Sequence, residues 1–480
     1  MRLDKGNAGV VSAGKDVIWA GAGNATVLVS GGAEVHAGAG GLAVYAHGGG
    51  GGANVYGAGG DYVIGGDSGG VAYHGGDAAS TVEAQVSGIT LLGGAGRMTV
   101  NGGARDTLTG GSGGIWFNEN GGGANTITTM AGSTNVIALT GTDVLDSEGA
   151  DAITTTDGNQ DITIGGTASL TMGAGNSHVA VTGHAAIVAT GGSSRVDVAA
   201  GGTADVATMG WMTVTGSGPG VSLALLDGQG AEAGRMSLLA GSATLGTYNE
   251  YGMQVTTGSG HAEVAASGAN AGGSLNIWSN GADTIRTGDG AATVTLQGGD
   301  SEVWAGTGML TLHDSTQGGQ TAVVHAGAGF VQADVGSGGS MTFLGGSGYA
   351  LLQGGTMDIV GGSGAIMTAG YYGSSVRSFI GGSGDAYLQL DNTGSDLTMG
   401  SGTAVVQGLG WGSADIYHFT AASTGTTLIE NFRAGADQAL LGAGVGIASQ
   451  DVVNGSAHVR LTNGADVTFV GVQGGASLFG

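Results

Sequence analysis

The chain has no cysteine, one proline, 11 Lys+Arg and only 5% aromatic residues among its 480 positions. Without cysteine there is neither a disulfide framework nor a thiolate metal site, which fits a cytosolic protein or a bacterial exported one that uses no disulfides. A single proline beside 109 glycines excludes collagen, which needs a strict Gly-X-Y period and abundant proline. The few basic residues face 36 Asp+Glu, a formal charge of −25. Nucleic acid and anionic lipid are therefore poor partners, because phosphate binding needs clustered cations. No segment approaches the ~18 consecutive apolar residues of a spanning helix, so membrane insertion is not expected. The start, MRLDKGNAGVVSAGKDV, has no apolar h-region, so no cleaved amino-terminal signal is expected either.

Apolar residues nonetheless make up 41% of the chain, in short Val/Leu/Ile/Ala clusters, which argues against disorder. Laid out at its glycines, the sequence reads DVIWAGAG from Asp16, ATVLVSGG from Ala25, AEVHAGAG from Ala33 and LAVYAHGGG from Leu42. The beat returns as ATVTLQGGD from Ala292, SMTFLGGSG from Ser340 and TMDIVGGSG from Thr356. Each unit of about nine residues is a short strand followed by a glycine turn. Alternation within units predicts Val27, Val29, Val35, Ala37, Leu42, Val44, Val294, Leu296, Val303 and Ala305 inward. It predicts Thr26, Glu34, His36, Tyr45, Thr293, Thr295, Glu302 and Trp304 outward. The expected fold is all-β, a parallel β-roll or β-solenoid whose units bury their apolar faces by stacking. The beat divides the chain into one solenoid arm over 1–215 and a second over 274–413. Between them, 216–273 is an irregular or degenerate repeat segment with Pro219, and 414–480 is a carboxyl-terminal β cap.

The turn GAGGDYV, Gly57 to Val63, with partial matches around Asp16, Asp151 and Asp283, resembles the nonapeptide of RTX exoproteins, the hemolysin-type calcium-binding repeats. That resemblance implies Ca²⁺ held between coils by turn carbonyls and the Asp carboxylate. The candidate ligands are Asp16, Gly57, Gly59, Asp61, Asp151 and Asp283. Each Gly-x-Asp reads either as such a ligand or simply as a turn former. Many turns, such as Gly345–Gly348 and Gly361–Gly364, have no Asp, so calcium is expected in only a few coils. From Ala414 onward the chain is similar to the carboxyl-terminal module of serralysin-like and other RTX exoproteins. Asp415, Phe419, Ile429, Phe432, Gly435 and Asp437 carry the likeness. It implies a solenoid cap and an uncleaved signal for the type I secretion machinery. The likeness covers this stretch well and the repeats loosely.

Catalytic patterns are weak. There is no HExxH, the ten histidines lack ligand spacing and read as solvent-facing strand positions, and GGSGG at Gly110–Gly114 is followed by no helical period. No enzyme is expected. Outward Trp19, Tyr45, Trp116, Trp278 and Trp304 could stack on sugar rings or shield the sheet faces. Outward Thr pairs, such as Thr293 with Thr295 and Thr213 with Thr215, are too few for a regular ice-binding face. The favoured function is a secreted bacterial structural protein that assembles head to tail with itself into a filament, biofilm matrix or surface layer, stabilised in part by calcium. The alternative is a monomeric adhesin for exopolysaccharide or another surface.

Overall fold

A computed structural model describes every residue outside 48–51, 66–69, 86–87, 209–210, 217–221, 227–233, 239–240, 246–252, 259–260, 267–273, 316–319, 370–374, 474–477 and 480. Among the described residues there is no α-helix. The chain forms two compact units, Met1–Arg235 and Met236–Gly480. Each is a parallel β-solenoid.

Within the first unit the described strands pair in parallel with those two positions away in the chain. Ala8–Ser12, Ala25–Val29 and Leu42–Ala46 begin one sheet, and Val17–Trp19, Ala33–His36 and Ala53–Tyr56 begin the other. Two strands and two corners therefore make one coil. The coil length varies with the turns: Asn135 lies over Asp151, whereas Trp116 lies over Val136. The period-two alternation dictates the core. Val27, Val29 and Val44 from one sheet face Ile18, Val35 and Val55 from the other, all essentially inaccessible to water. Burying each such side chain contributes about 1.5–3 kcal/mol, and it can do so only against the next coil. Ala37 and Ala305, expected inward, are only half-buried, because the strands Ala33–His36 and Glu302–Trp304 stop one residue short of them.

The second unit has the same plan. Here Val331–Leu344 and Ala350–Val360 run through a corner without a break, and each contributes to both sheets. The segment 216–273 includes the strands Ser222–Leu226, Gly241–Leu245, Met253–Thr257 and Ala262–Ala266. Gly241–Leu245 pairs in parallel with Ala262–Ala266, and Met253–Thr257 with Ser274–Ser279. Pro219 lies outside the described residues.

The carboxyl-terminal stretch ends the solenoid with a change of direction. Ile447–Val453 and Ser456–Leu461 form an antiparallel hairpin, Ser456–Leu461 pairs antiparallel with Asp466–Phe469, and Asp466–Phe469 lies parallel on Thr426–Glu430. Phe432 packs edge-on against Phe469 at 4.8 Å, and Phe419 and Ile429 are fully buried nearby in the sheets. This is the expected β cap.

Candidate functional site

Two sets of side chains recur coil after coil: outward rings on the sheet faces, and polar groups buried at the corners.

The rings follow the register. Trp19, His36, Tyr56 and His74 occupy one position on four successive coils. They stack face to face with centroids 3.8, 4.7 and 4.6 Å apart and planes within 7° of parallel. In the second unit Arg286, Trp304 and His325 repeat the arrangement. The Trp304 and His325 rings lie 3.6 Å apart, and the Arg286 guanidinium sits 5.5 Å from the Trp304 centroid. A glutamate completes each group. Glu34 Oε1 lies 2.5 Å from His36 Nε2, and Glu302 Oε1 lies 2.8 Å from His325 Nε2. Arg97 covers Trp116 at 5.6 Å, and Tyr45 meets Tyr62 edge-on. The faces of the stacked rings are thus directed at neighbouring coils. Reading the histidines as bland strand positions missed their part in these stacks. The signal was available, since Trp19, His36, Tyr56 and His74 recur in step with the coil.

The corners hold the acids. The last residue of a turn, just before the next strand, points inward. At one corner of the first unit this position is filled on successive coils by Asp106, Asn125, Asp143, Gln160, Ser177 and Ser194, all buried. At all of these but Gln160, whose Oε1 accepts the Ser177 hydroxyl instead, an oxygen on the side chain accepts the peptide N–H of the same corner one coil earlier. Ile89 N–H donates to Asp106 Oδ1 at 2.8 Å, Asp106 N–H to Asn125 Oδ1 at 2.8 Å and Asn125 N–H to Asp143 Oδ1 at 2.9 Å. The second carboxylate oxygen turns back to its own turn, accepting Gly103 N–H at Asp106 and Gly141 N–H at Asp143.

The predicted ligands Asp151 and Asp283 sit at equivalent corners, one in each unit. Asp151 accepts the hydroxyls of Ser147 at 2.6 Å and Thr129 at 2.7 Å, and the Asn135 amide at 2.5 Å. Asp283 accepts the hydroxyls of Ser279 at 2.6 Å and Thr257 at 2.5 Å, and Ala262 N–H at 2.8 Å. The shared sequence is Ser-x-Gly-Ala-Asp, at 147–151 and 279–283. Asp437 follows the same logic: Asp415 N–H donates to its Oδ1 at 3.0 Å and Arg433 N–H to its Oδ2 at 2.8 Å. Asp415 in turn accepts Ser395 N–H. Gly435, between Arg433 and Asp437, has a φ of 87°, which a side chain would resist. Asp16 is exposed and takes the Ser12 hydroxyl at 2.6 Å.

Asp61 differs. Its Oδ2 accepts Gly59 N–H and the Tyr73 phenol, both at 3.0 Å, while Oδ1 is buried with no hydrogen-bond partner. A Cβ at Gly57 would fall on the Tyr73 hydroxyl and the Asp61 carboxylate, so only glycine fits there.

Burial dominates the titration of these corners. It pushes Asp143 up to about 6, with the Glu119 charge adding to it, and Asp415 up to about 6, with the Asp437 charge adding. Asp106 is raised for the same reason. On the surface the order reverses: His178, held between Asp197 and Asp161 at 2.9 Å each, is raised above its ordinary value by those bonds.

Calcium takes about six to eight oxygen ligands. At Asp106, Asp143, Asp151, Asp283 and Asp437 both carboxylate oxygens already meet N–H or O–H donors, a set that does not fit a hard-cation cage. Among the described residues, no three or more of His, Asp and Glu are grouped to hold a metal. An open groove of about 460 Å³ in the first unit is lined by Leu92, Met130, Thr109, Thr129 and turn glycines, with no charged side chain.

No protein-family model, curated protein or solved structure matches the chain.

Proposed function

We propose that this chain is a secreted structural protein whose solenoid units associate with further copies of the chain through sheet edges, building an extracellular filament or matrix. The observation that carries this reading is the strand Ile447–Val453. Every one of its seven residues is exposed, and its only neighbour among the described pairings is Ser456–Leu461. Ile447, Val452 and Val453 are exposed at 45, 49 and 43%. A long exposed edge with apolar side chains offers a row of unpaired N–H and C=O groups to another strand. Export by the type I route belongs to the same reading and rests on the likeness of residues 414–480 to RTX modules. The adhesin reading requires ring faces open to sugars. The stacked rows instead turn their faces to one another, which favours the scaffold.

Sedimentation and negative-stain microscopy of the purified full chain test the proposal. Ordered assemblies that Val452→Lys disperses are expected, since a charge on an edge strand blocks edge pairing. A particle that stays monomeric at every concentration overturns it.

A further inference from the structure

The RTX likeness assigns calcium to the turn aspartates, and the corner geometry points elsewhere. We infer that the coils of both units close without calcium, because the corner carboxylates do the bridging that a cation would otherwise do. The argument rests on what each oxygen touches. A cation bridging two turns must collect acceptor oxygens from both. At Asp151 and Asp283 the neighbours are donors drawn from the two successive coils. Ser147 and Ser279 sit four residues upstream in the same coil, while Thr129, Asn135, Thr257 and Ala262 belong to the coil before. The carboxylate therefore ties coil to coil directly. Asp106 and Asp143 do the same through the peptide N–H groups of Ile89 and Asn125.

The same constellation in two separate units, with the third donor a side-chain amide in one and a backbone amide in the other, makes it a rule of construction. A metal-free corner also explains the neighbouring residue types. Serine and threonine hydroxyls are useful to a carboxylate as donors, and Asn135 presents its NH₂ rather than its carbonyl to Asp151. The Asn135 carbonyl oxygen is already engaged, accepting Ile115 N–H at 2.7 Å.

Thermal unfolding of the full chain in millimolar CaCl₂ and in EGTA tests the inference, alongside Asp151→Asn, Asp283→Asn and Asp61→Asn. The midpoint is expected to be the same in both media. Asp151→Asn and Asp283→Asn are each expected to lower it by about 5 °C, equally with and without calcium, because the amide puts a donor against donors. A calcium-dependent rise that survives in these two variants and vanishes in Asp61→Asn overturns the inference for the first unit and places the cation at the unpaired Asp61 oxygen. A rise that vanishes in Asp151→Asn or Asp283→Asn overturns it. If Asp151→Asn does not fold, Ser147→Ala takes its place: it keeps the carboxylate, so a calcium response gained or lost there also overturns the inference.

Discussion

The corner run from Asp106 to Ser194 in the first unit and the glycine run from Gly306 to Gly402 in the second solve one problem in two ways. In the first, a side-chain oxygen reaches back to a peptide N–H of the preceding coil. In the second, the turns carry no buried acid and bond backbone to backbone, the exposed Asp385 adding one side-chain bond from Thr403 N–H at 3.0 Å. Ser347 N–H donates to Gly327 O at 3.1 Å, Gly364 N–H to Gly346 O at 3.0 Å, Ser383 N–H to Gly362 O at 3.0 Å and Ser401 N–H to Gly382 O at 2.9 Å. Such contact requires turns that almost touch. A Cβ at Gly362 or Gly364 would coincide with carbonyl atoms of the turn below, and neither residue has a positive φ. Close approach, rather than left-handed backbone, is what keeps these positions glycine. Both kinds of corner approach closely, since a Cβ at Gly141 would fall on Gly123 O; the acidic corners add a side-chain bond between coils, and the glycine corners rely on backbone alone.

That contrast can be broken at either end. Gly364→Ala should cost the most, about 3 kcal/mol, because the added methyl lands on backbone that cannot move without its neighbours. Urea denaturation, with hydrogen exchange over residues 345–402, should place the loss there. Asp283→Ala should cost about 2–3 kcal/mol by leaving the Thr257 and Ser279 hydroxyls and Ala262 N–H without their acceptor. A loss no larger than that of an exposed aspartate such as Asp466 would show the corner bonds to be idle.

Acid sharpens the comparison further. Asp143 and Asp415 have folded values raised to about 6, above the unfolded carboxylate, chiefly by burial. Between about pH 6 and 4 the folded chain therefore binds more protons than the unfolded one. Stability should rise as pH falls through that window, by on the order of 1 kcal/mol per group, and Asp143→Asn should flatten the slope. The glycine corners carry no such groups and should not respond. Ser147→Ala is expected to have the smallest effect, about 1 kcal/mol in a denaturant titration, because Thr129 still donates to the same Asp151 oxygen.

The sequence made the coils legible because a strand with one buried face writes its period locally. Val27, Val29, Val44, Val294 and Leu296 are inward as their alternation predicts. The role of Asp151 was not legible from GAD alone, since its partners Thr129 and Asn135 come from the coil before, and their proximity depends on a register that variable turn lengths conceal. The repeated Ser-x-Gly-Ala-Asp was the available clue. The rings were misjudged for a related reason. Outward placement was read correctly for Trp304 and His36, but a single strand does not reveal what lies above and below it.

Register has one more consequence, for how such a chain can change length. Ala8, Ala25 and Leu42 lie over one another, as do Val17, Glu34 and Asn54. Excising residues 25–41 would join Asn24 to Leu42 and set both sheets back into phase, with every inward residue still inward. Losing one residue from the middle of a strand would turn the rest of that strand inside out. Insertions and deletions are therefore quantised: the gene can gain or lose whole coils with little disturbance, whereas single-codon slips within a strand are heavily penalised.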